Sequence, residues 1–347
     1  MKKEQFDKLL TIATEYKASD IHLTVGVPPV FRIHGELKKY GKQSLKPEDT
    51  FGMTRDILSD ELFDKLQKSR EIDMSYGIPG VSRFRINIYH QRNTVSIAIR
   101  IVPGHIPSIE ELKMPPVLKK ISTFAQGLVL VTGPTGSGKS TTLASIINYM
   151  NQTARKHIIT LEDPIEYIHN HNNCIIDQRE VGFDTQNFAN GLRACLRQDP
   201  DVILVGELRD FETIATALTA AETGHLVFGT LHTTNAPDTI DRIIDVFPPN
   251  QQGQIRIQLA NVLQAIISQR LFQQVDKKGR RAATEILLNT PAVKNLIRNE
   301  KIHQITNIMQ TSKANHMQTL EMSIQDLLAE KAIDKRAAAP YIPEGGA

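Results

Sequence analysis

A glycine-rich stretch carries the strongest chemical signal in this chain of 347 residues. Residues 133–140 read Gly-Pro-Thr-Gly-Ser-Gly-Lys-Ser and fit the phosphate-loop pattern G-x-x-x-x-G-K-[ST]. The glycines let backbone amides surround an anion, the lysine reaches the β- and γ-phosphates, and the serine hydroxyl binds Mg²⁺. The candidate nucleotide-binding residues are Gly133, Pro134, Thr135, Gly136, Ser137, Gly138, Lys139, Ser140 and Thr141.

The residues beside this stretch predict the elements that must position it. Residues 128–132 are a continuous apolar run, which is typical of a buried strand. After the loop, Leu143, Ile146, Ile147 and Met150 recur at helical spacing. The sequence therefore predicts a strand, a phosphate loop and a helix whose positive N-terminal end faces the phosphates.

Carboxylates follow two further predicted strands. Glu162, Asp163 and Glu166 come after the run at 157–161, and Glu207 comes after the run at 202–205. Parallel sheets hold reactive groups at the carboxyl ends of their strands, and hydrolysis needs one acid near Mg²⁺ and one that orients or deprotonates water. Glu207 is predicted on the metal side, and one of the other three acids on the water side. The alternative role of such acids is to cap the next helix.

Two histidines flank the apolar run at 226–231. If that run is a strand, His225 and His232 lie roughly 23 Å apart on opposite faces, so they do not share a metal ion. His232 falls at the carboxyl end, where it can sense the γ-phosphate. His225 falls at the far end, where a structural or interface role is expected.

Composition disfavours several classes of function. The net charge is only +3, and no basic stretch interspersed with aromatic residues points to a nucleic-acid binder. Two cysteines, Cys174 and Cys195, cannot build a four-cysteine zinc site, and free thiols fit a reducing compartment. No stretch approaches the roughly 20 apolar residues that span a bilayer, so a cytoplasmic protein is expected unless a partner holds it at a membrane.

The pattern of elements predicts two domains of unequal size. Residues 1–101 read as a small α+β domain, and the prolines and glycine of residues 102–126 predict a linker. From residue 127 strands alternate with helices, which predicts a parallel sheet covered on both faces. After about residue 255 the chain is expected to be wholly helical, with a loose tail from about residue 333.

The small domain contains two alternating strands with a basic face. Phe84, Ile86 and Ile88 share one face of the first strand, which puts Arg83 and Arg85 on the other. Arg100 is predicted on the matching face of the next strand.

Several motifs in a fixed order give the chain a specific resemblance. These motifs are Ala-Ser-Asp-Ile-His-Leu at 18–23, the phosphate loop, the acidic box at 161–166, Gly-Glu-Leu-Arg-Asp at 206–210 and the histidine box at 223–233. Over nearly its whole length the chain resembles the type IV pilus retraction ATPases of the secretion-ATPase superfamily.

The resemblance implies a RecA-like P-loop ATPase domain, residues 127–347, with a PAS-like N-terminal domain and a helical C-terminal region. It implies a homohexamer that uses ATP and Mg²⁺ to retract type IV pili and so to power twitching motility. The partner would be a pilus platform protein at the inner face of the cytoplasmic membrane, and no nucleic acid is expected. Whether a second retraction ATPase works beside it stays open.

The resemblance also ranks the candidate residues. It assigns Glu166 to the attacking water and Glu207 to the Walker B-like position, and it makes both His225 and His232 functional. It brings arginines of the N-terminal domain to the γ-phosphate, and Arg83, Arg85 and Arg100 stand in the matching region. Which of the three reaches the phosphate stays open, and the alternative for each is a solvated basic face.

One segment departs from the family pattern Ala-Ile-Arg-Asn-Leu-Ile-Arg-Glu. Residues 292–299 read Ala-Val-Lys-Asn-Leu-Ile-Arg-Asn, so Lys294 lacks the guanidinium fork and Asn299 lacks a carboxylate. The departure leaves the nucleotide site unchanged and bears on the coupling of hydrolysis to retraction. A plain amphipathic core helix is the alternative.

Three other functions are weighed against retraction. Assembly ATPases of the same superfamily usually carry a four-cysteine zinc module, which two cysteines cannot supply. A protein that binds ATP without turnover would not need acids such as Glu166 and Glu207. A nucleic-acid translocase conflicts with the near-neutral charge.

Overall fold

The structure of this chain, a computed structural model, describes residues 3–102, 104–277 and 279–342. These residues group into two units. The first comprises the described part of Met1–His105 together with Glu166–Ile168. The second comprises the described part of Ile106–Ile165 and His169–Ala347. The short segment Glu166–Ile168, which begins at the last residue of the acidic box, thus belongs to the first unit rather than to the unit that carries the phosphate loop.

The first unit is an antiparallel sheet with helices packed into its core. Its described helices are α1 (Lys3–Glu15), α2 (Pro47–Ile57) and α3 (Asp60–Ser69), and its strands are β1 (Asp20–Leu23), β2 (Val30–Ile33), β3 (Glu36–Lys39), β4 (Glu71–Ile78), β5 (Ser82–Gln91) and β6 (Thr94–Ile101). The strand order is β3-β2-β1-β6-β5-β4, with every neighbouring pair antiparallel. Phe84, Ile86 and Ile88 are fully buried and Arg85 is exposed, so the predicted faces of β5 are confirmed.

The second unit is built on a mostly parallel sheet. Its described strands are β7 (Gly127–Thr132), β8 (His157–Glu162), β9 (Ile175–Glu180), β10 (Val202–Val205), β11 (Leu226–Leu231), β12 (Leu263–Gln273) and β13 (Arg280–Leu288). The order is β13-β12-β7-β11-β10-β8-β9, and only the β12–β13 pair is antiparallel. The predicted α/β class is confirmed.

Helices cover both faces of this sheet. They are α4 (Val117–Ile121), α5 (Lys139–Thr153), α6 (Phe188–Cys195), α7 (Phe211–Glu222), α8 (Ala236–Asp245), α9 (Pro249–Val262), α10 (Pro291–Arg298), α11 (Ile305–Thr311), α12 (Leu320–Ala329) and α13 (Lys335–Ala338). Alternate residues of β7 point to opposite faces: Leu128 and Leu130 pack with α6 to α11, and Val129 and Val131 pack with α4 and α5. Within the described residues, no helix is both long enough and apolar enough to cross a membrane.

The expectation of a wholly helical chain after about residue 255 is wrong. β12 and β13 form a hairpin there, and β12 pairs in parallel with the strand that enters the phosphate loop. A short apolar run does not distinguish a buried strand from a buried helix by periodicity. The choice depends on β7, which lies far away in the sequence. Local patterns do not predict β9 either.

Most of the segment predicted as a linker, residues 102–126, is packed against the second unit. From Ile106 onward it belongs to the second unit, and its apolar side chains are buried against α5: Ile109, Met114, Val117, Leu118 and Ile121. Ser145 of α5 donates a hydrogen bond to the carbonyl of Pro107 at 2.7 Å. The prolines interrupt regular structure without preventing this packing, and Pro103 lies outside the described residues.

The end of the chain is also packed as far as the structure describes it. Ile333 and Ala338 are buried, and the ring of Tyr341 lies edge-on to Phe272 of β12 at 5.5 Å. The expectation of a loose tail from about residue 333 therefore does not describe residues 333–341, because their apolar side chains cover the β12–β13 hairpin. Residues 343–347 lie outside the described part.

Candidate functional site

The order of the parallel strands gathers the predicted chemical groups at one edge of the sheet. Gly133 follows β7, His232 follows β11, Glu207 follows β10 closely and Glu162 ends β8. These strands are parallel neighbours in the order β7-β11-β10-β8. β11 lies between β7, which leads into the phosphate loop, and β10, which leads to Glu207. The strands β7 and β10 are therefore two inter-strand spacings apart, roughly 10 Å. That space can hold phosphates and a water between the loop and the acids.

The phosphate loop is folded around its own lysine. Lys139 is the first residue of α5, and its Nζ donates to the carbonyl of Gly133 at 2.8 Å and of Pro134 at 3.2 Å. The ammonium thus lies over the loop, where the oxygens of a bound phosphate would compete for it. Ser140 and Thr141 follow in the first turn and are half-buried. Among the described residues, Ser137 Oγ is inaccessible and has no hydrogen-bond partner.

Gly133 makes the closest backbone approach in the loop. Its φ is +141°, and a Cβ there would lie 2.4 Å from the carbonyl oxygen of Gln269 and 2.7 Å from Ser137 Oγ. Because the first of these atoms belongs to the backbone, a side chain at Gly133 would displace the loop itself.

Gln269 holds the loop from the neighbouring strand β12. It is 2% exposed, its Nε2 donates to the Ser137 carbonyl at 2.7 Å, and its Oε1 accepts from Thr142 Oγ1 at 3.0 Å. The side chain therefore joins the loop to the first turn of α5. Sequence reasoning missed Gln269, because nothing in the local pattern shows that its strand pairs with β7.

Replacing Gln269 with methionine is expected to loosen the loop without emptying the core. The change leaves the Ser137 carbonyl and the Thr142 hydroxyl unsatisfied, which lowers the free energy of unfolding by about 1–3 kcal/mol. We expect ATP affinity to fall about ten-fold as the loop loses its preorganisation. Denaturant unfolding and nucleotide titration measure both effects. Gln273→Met, on the exposed end of the same strand, is the control, and equal affinities for the two variants would contradict this role.

Glu207 and His232 are brought into contact at the sheet edge. His232 Nε2 lies 3.2 Å from Glu207 Oε1, and Arg209 Nε lies 2.5 Å from the same oxygen. The carboxylate of Glu207 is 19% exposed, so it sits at the bottom of this group while the arginine reaches into solvent. The hydrogen bond to Glu207 raises the pKa of Arg209 above its usual range. Arg209 belongs to the motif at 206–210, but the local sequence does not predict its pairing with Glu207.

The three acids of the acidic box have different surroundings. Glu162 Oε1 accepts hydrogen bonds from Thr160 Oγ1 at 2.6 Å and from Gln178 Nε2 at 3.1 Å. Its carboxylate therefore ties two strands together. Asp163 and Glu166 are exposed, and Glu166 belongs to the first unit. The exposed acids are the ones available to a water molecule.

His225 and His232 lie at opposite ends of β11. His225 Nδ1 is 3.0 Å from the carbonyl of Ala220, at the end of the strand away from the phosphate loop. This contact fits a structural role for His225, and the Glu207 contact of His232 fits a role at the site. In the described part of the chain, no group of three or more histidine, cysteine, aspartate or glutamate side chains could hold a metal ion.

The basic face of the first unit contains an arginine pair. Arg85 and Arg100 are direct cross-strand partners on β5 and β6, and Arg100 Nε donates to Asp20 Oδ1 at 3.0 Å. Partial burial would raise the pKa of Asp20, but hydrogen bonds from Ser19 and Arg100 outweigh it, so the pKa is lowered. Asp20 thereby offsets the repulsion between like charges placed opposite each other. Arg83 lies on the same strand and is half-buried.

A cavity of about 260 Å³ opens beside the phosphate loop. Its lining includes the apolar side chains of Leu112, Met114 and Leu271 and the charged side chains of Glu111, Lys113, Arg280 and Arg281. Thr141 and Thr142, from the first turn of α5, also face it. The cavity is therefore continuous with the helix that presents the loop.

The segment that departs from the family pattern is helix α10. Val293 and Ile297 are buried, and Lys294 is half-buried. Asn299 caps the C-terminus, and its Nδ2 donates to the carbonyl of Asn295 at 2.9 Å. The amide at position 299 thus stabilises the helix end.

Comparisons with known proteins show which family this chain belongs to. Residues 2–335 match the family model described as Type II/IV secretion system protein. The chain is 46% identical over 331 residues to the type IV pilus retraction ATPase PilT of Pseudomonas aeruginosa, covering 95% of this chain and 96% of that one. It is 48% identical over 310 residues to the twitching motility protein of Neisseria gonorrhoeae, covering 89% and 83% respectively.

A solved structure is similar over almost the full length. The crystal structure of the pilus retraction motor PilT with bound ADP superposes with a TM-score of 0.91 at 48% identity, covering 99% of this chain and 98% of that one. With the family model matched over nearly the whole sequence, the chain belongs to the family of Type II/IV secretion system proteins.

Proposed function

We propose that this chain is an ATP-hydrolysing hexameric motor that drives the retraction of type IV pili and thereby powers twitching motility. One observation carries the proposal: a complete phosphate loop shares a sheet edge with the Glu207–His232 contact, in a chain of which 95% aligns with a retraction ATPase. The four-cysteine zinc module of the assembly ATPases cannot be built from its two cysteines.

ATP binds with its phosphates in the loop at 133–141. Lys139 exchanges the carbonyls of Gly133 and Pro134 for oxygens of the β- and γ-phosphates. The backbone amides and the N-terminus of α5 supply the remaining positive potential. The nucleoside enters the cavity beside Thr141 and Thr142, and the preference for adenine follows from the similarity to ATPases.

The donor set fits Mg²⁺. A serine hydroxyl and a carboxylate are hard oxygen ligands, and a nucleotide-bound Mg²⁺ takes only one or two ligands from protein. Ser140 and Glu207 would hold it. When bound, it neutralises the charge that develops on the phosphates.

Hydrolysis requires a group that acts on water. We assign that role to Glu166, which is exposed and lies in the acidic box, three residues after the exposed Asp163. His232, in contact with Glu207, reports the state of the γ-phosphate to β11 and to α8, which follows it. Arg83, Arg85 and Arg100 are the candidates for charge stabilisation at the γ-phosphate. Arg100 is paired with Asp20, its cross-strand neighbour on β1.

The proposal places the motor in the cytoplasm, at the inner face of the cytoplasmic membrane. Six copies would form the ring, and a pilus platform protein in that membrane would receive the motion. His225, at the opposite end of β11 from the phosphate loop, is available for contacts that transmit this motion. A second retraction ATPase is a further candidate partner.

Deletion and complementation in the organism that carries this chain test the proposal. The deletion strain should carry excess surface pili and should not twitch. The wild-type gene should restore a normal number of pili and twitching. Lys139→Ala should restore neither, because the lysine that binds the phosphates is lost. Cells without pili would mean that the enzyme extends the filament, and the direction of the motor would be reversed.

A further inference from the structure

The loop that carries Glu166 is closed at its base by two side chains of β9. The N–H of Ile165, just before Glu166, donates to Glu180 Oε2 at 3.2 Å. The N–H of His169, just after the segment Glu166–Ile168, donates to Gln178 Oε1 at 2.8 Å. Glu180 is 2% exposed. Both ends of the segment are therefore tied to the same strand of the second unit.

Gln178 also holds the acid at the start of the loop. Its Nε2 donates to Glu162 Oε1 at 3.1 Å, while its Oε1 accepts from the His169 N–H. Thr160 Oγ1 donates to the same oxygen of Glu162 at 2.6 Å and fixes that carboxylate on β8. One amide thus joins the last residue of β8 to the point where the chain returns from Glu166.

The returning chain is then fixed to the helix that begins at the phosphate loop. Asn151, near the end of α5, is 4% exposed and donates to the carbonyl of Asn170 at 2.7 Å. Its Oδ1 accepts from the N–H groups of Asn172 and Cys174 at 3.1 and 3.2 Å. The chain between the acidic box and β9 is therefore hydrogen-bonded to α5, the helix whose first residue is Lys139.

These contacts point to a task beyond holding a surface loop together. Glu166 is exposed, so burial does not fix its carboxylate. The bonds at Ile165 and His169 set where the chain leaves and rejoins the second unit on either side of it. A shift of about 1 Å in a reacting group can cost up to about 100-fold in rate. An amide bridging both sides of the loop limits such a shift, because it fixes the distance between residues 162 and 169.

We propose that Gln178 is a positioning residue for ATP hydrolysis and that it acts through the carboxylate of Glu166. The proposal rests on the assignment of Glu166 to the attacking water. Gln178 lies on β9, and β11, β10 and β8 separate that strand from β7, which leads into the phosphate loop. Its effect should therefore appear in the cleavage step and not in nucleotide affinity.

The test is the variant Gln178→Met, which keeps the length of the side chain and removes both hydrogen bonds. Single-turnover ATP cleavage should slow about ten-fold, an intermediate loss for a loosened catalytic group. The dissociation constant of a non-hydrolysable ATP analogue should change less than two-fold. Gln186→Met is the control, because Gln186 is exposed and its amide oxygen accepts only from Asn190 among the bonds described. Its cleavage rate should stay at the wild-type value.

A double-mutant cycle with Glu166→Gln separates this role from a general loss of structure. If Gln178 acts through Glu166, adding Gln178→Met to Glu166→Gln should slow cleavage no further. The proposal would be overturned if the double variant lost cleavage rate by the product of the two single losses, or if Gln178→Met lost nucleotide affinity ten-fold. A fully active Glu166→Gln would instead refute the assignment of Glu166, whatever Gln178 does. If Gln178→Met does not fold, Gln178→Glu serves in the same cycle, since it keeps an acceptor for His169 and loses the donor to Glu162.

Discussion

Replacing Glu166 with glutamine is expected to slow ATP cleavage about 1000-fold while ATP still binds. Glutamine keeps the shape of the side chain but cannot accept a proton from water. Because the phosphate loop belongs to the second unit and Glu166 to the first, the change should leave the loop intact. Single-turnover cleavage and titration with an ATP analogue measure the two effects separately.

Parallel changes in the other acids give this experiment its controls. Glu162→Gln should cost less, since the Glu162 carboxylate is already engaged with Thr160 and Gln178. Asp163→Asn tests the remaining exposed acid of the box. If Asp163→Asn abolished cleavage and Glu166→Gln did not, the water-side role would belong to Asp163.

Gly133→Ala is expected to weaken ATP binding at least about 100-fold, the cost of displacing the backbone that surrounds the phosphates. The new methyl group would lie 2.4 Å from the carbonyl oxygen of Gln269, a distance that no rotation can relieve. The loop must move away from β12, which also separates Gln269 from the Ser137 carbonyl it now binds. Nucleotide titration measures the loss, and thermal unfolding monitors the fold.

Gly136→Ala is the matched comparison in the same loop. Gly136 also has a positive φ, +77°, but a Cβ there would meet no atom within 4 Å. Alanine at the φ of Gly136 is close to the left-handed region that other residues sometimes adopt, whereas alanine at the φ of Gly133 is more strained and also carries the clash. Gly136→Ala should therefore bind ATP more tightly than Gly133→Ala. Equal affinities would show that the contact with Gln269 does not shape the loop.

Local patterns were enough to predict the elements that carry the chemistry. The strands at 202–205 and 226–231 have the predicted bounds, because a continuous apolar run is a direct sign of burial. The burial of Phe84, Ile86 and Ile88 opposite Arg85 followed from the period of two along a strand.

Elements whose partners are distant in sequence could not be predicted in this way. β12 resembles a helical segment until it is paired with β7, and β9 carries only one fully apolar pair, Ile175 and Ile176. The stretch after residue 105 was predicted to be a linker because prolines and glycines indicate irregular backbone. They do not indicate whether the side chains around them pack into a core.

The sequence by itself determined the phosphate loop, the acids that follow β8 and β10, and the histidine that follows β11, because each is a local motif at the end of a local element. Only the tertiary structure decided which of these groups meet. The order β7-β11-β10-β8 puts His232 against Glu207 and leaves a strand between Glu207 and the loop. It also brings in Gln269 and Gln178, which belong to no motif. Their hydrogen-bond partners lie 132 and 16 residues away, at Ser137 and Glu162, and strand pairing alone brings them together.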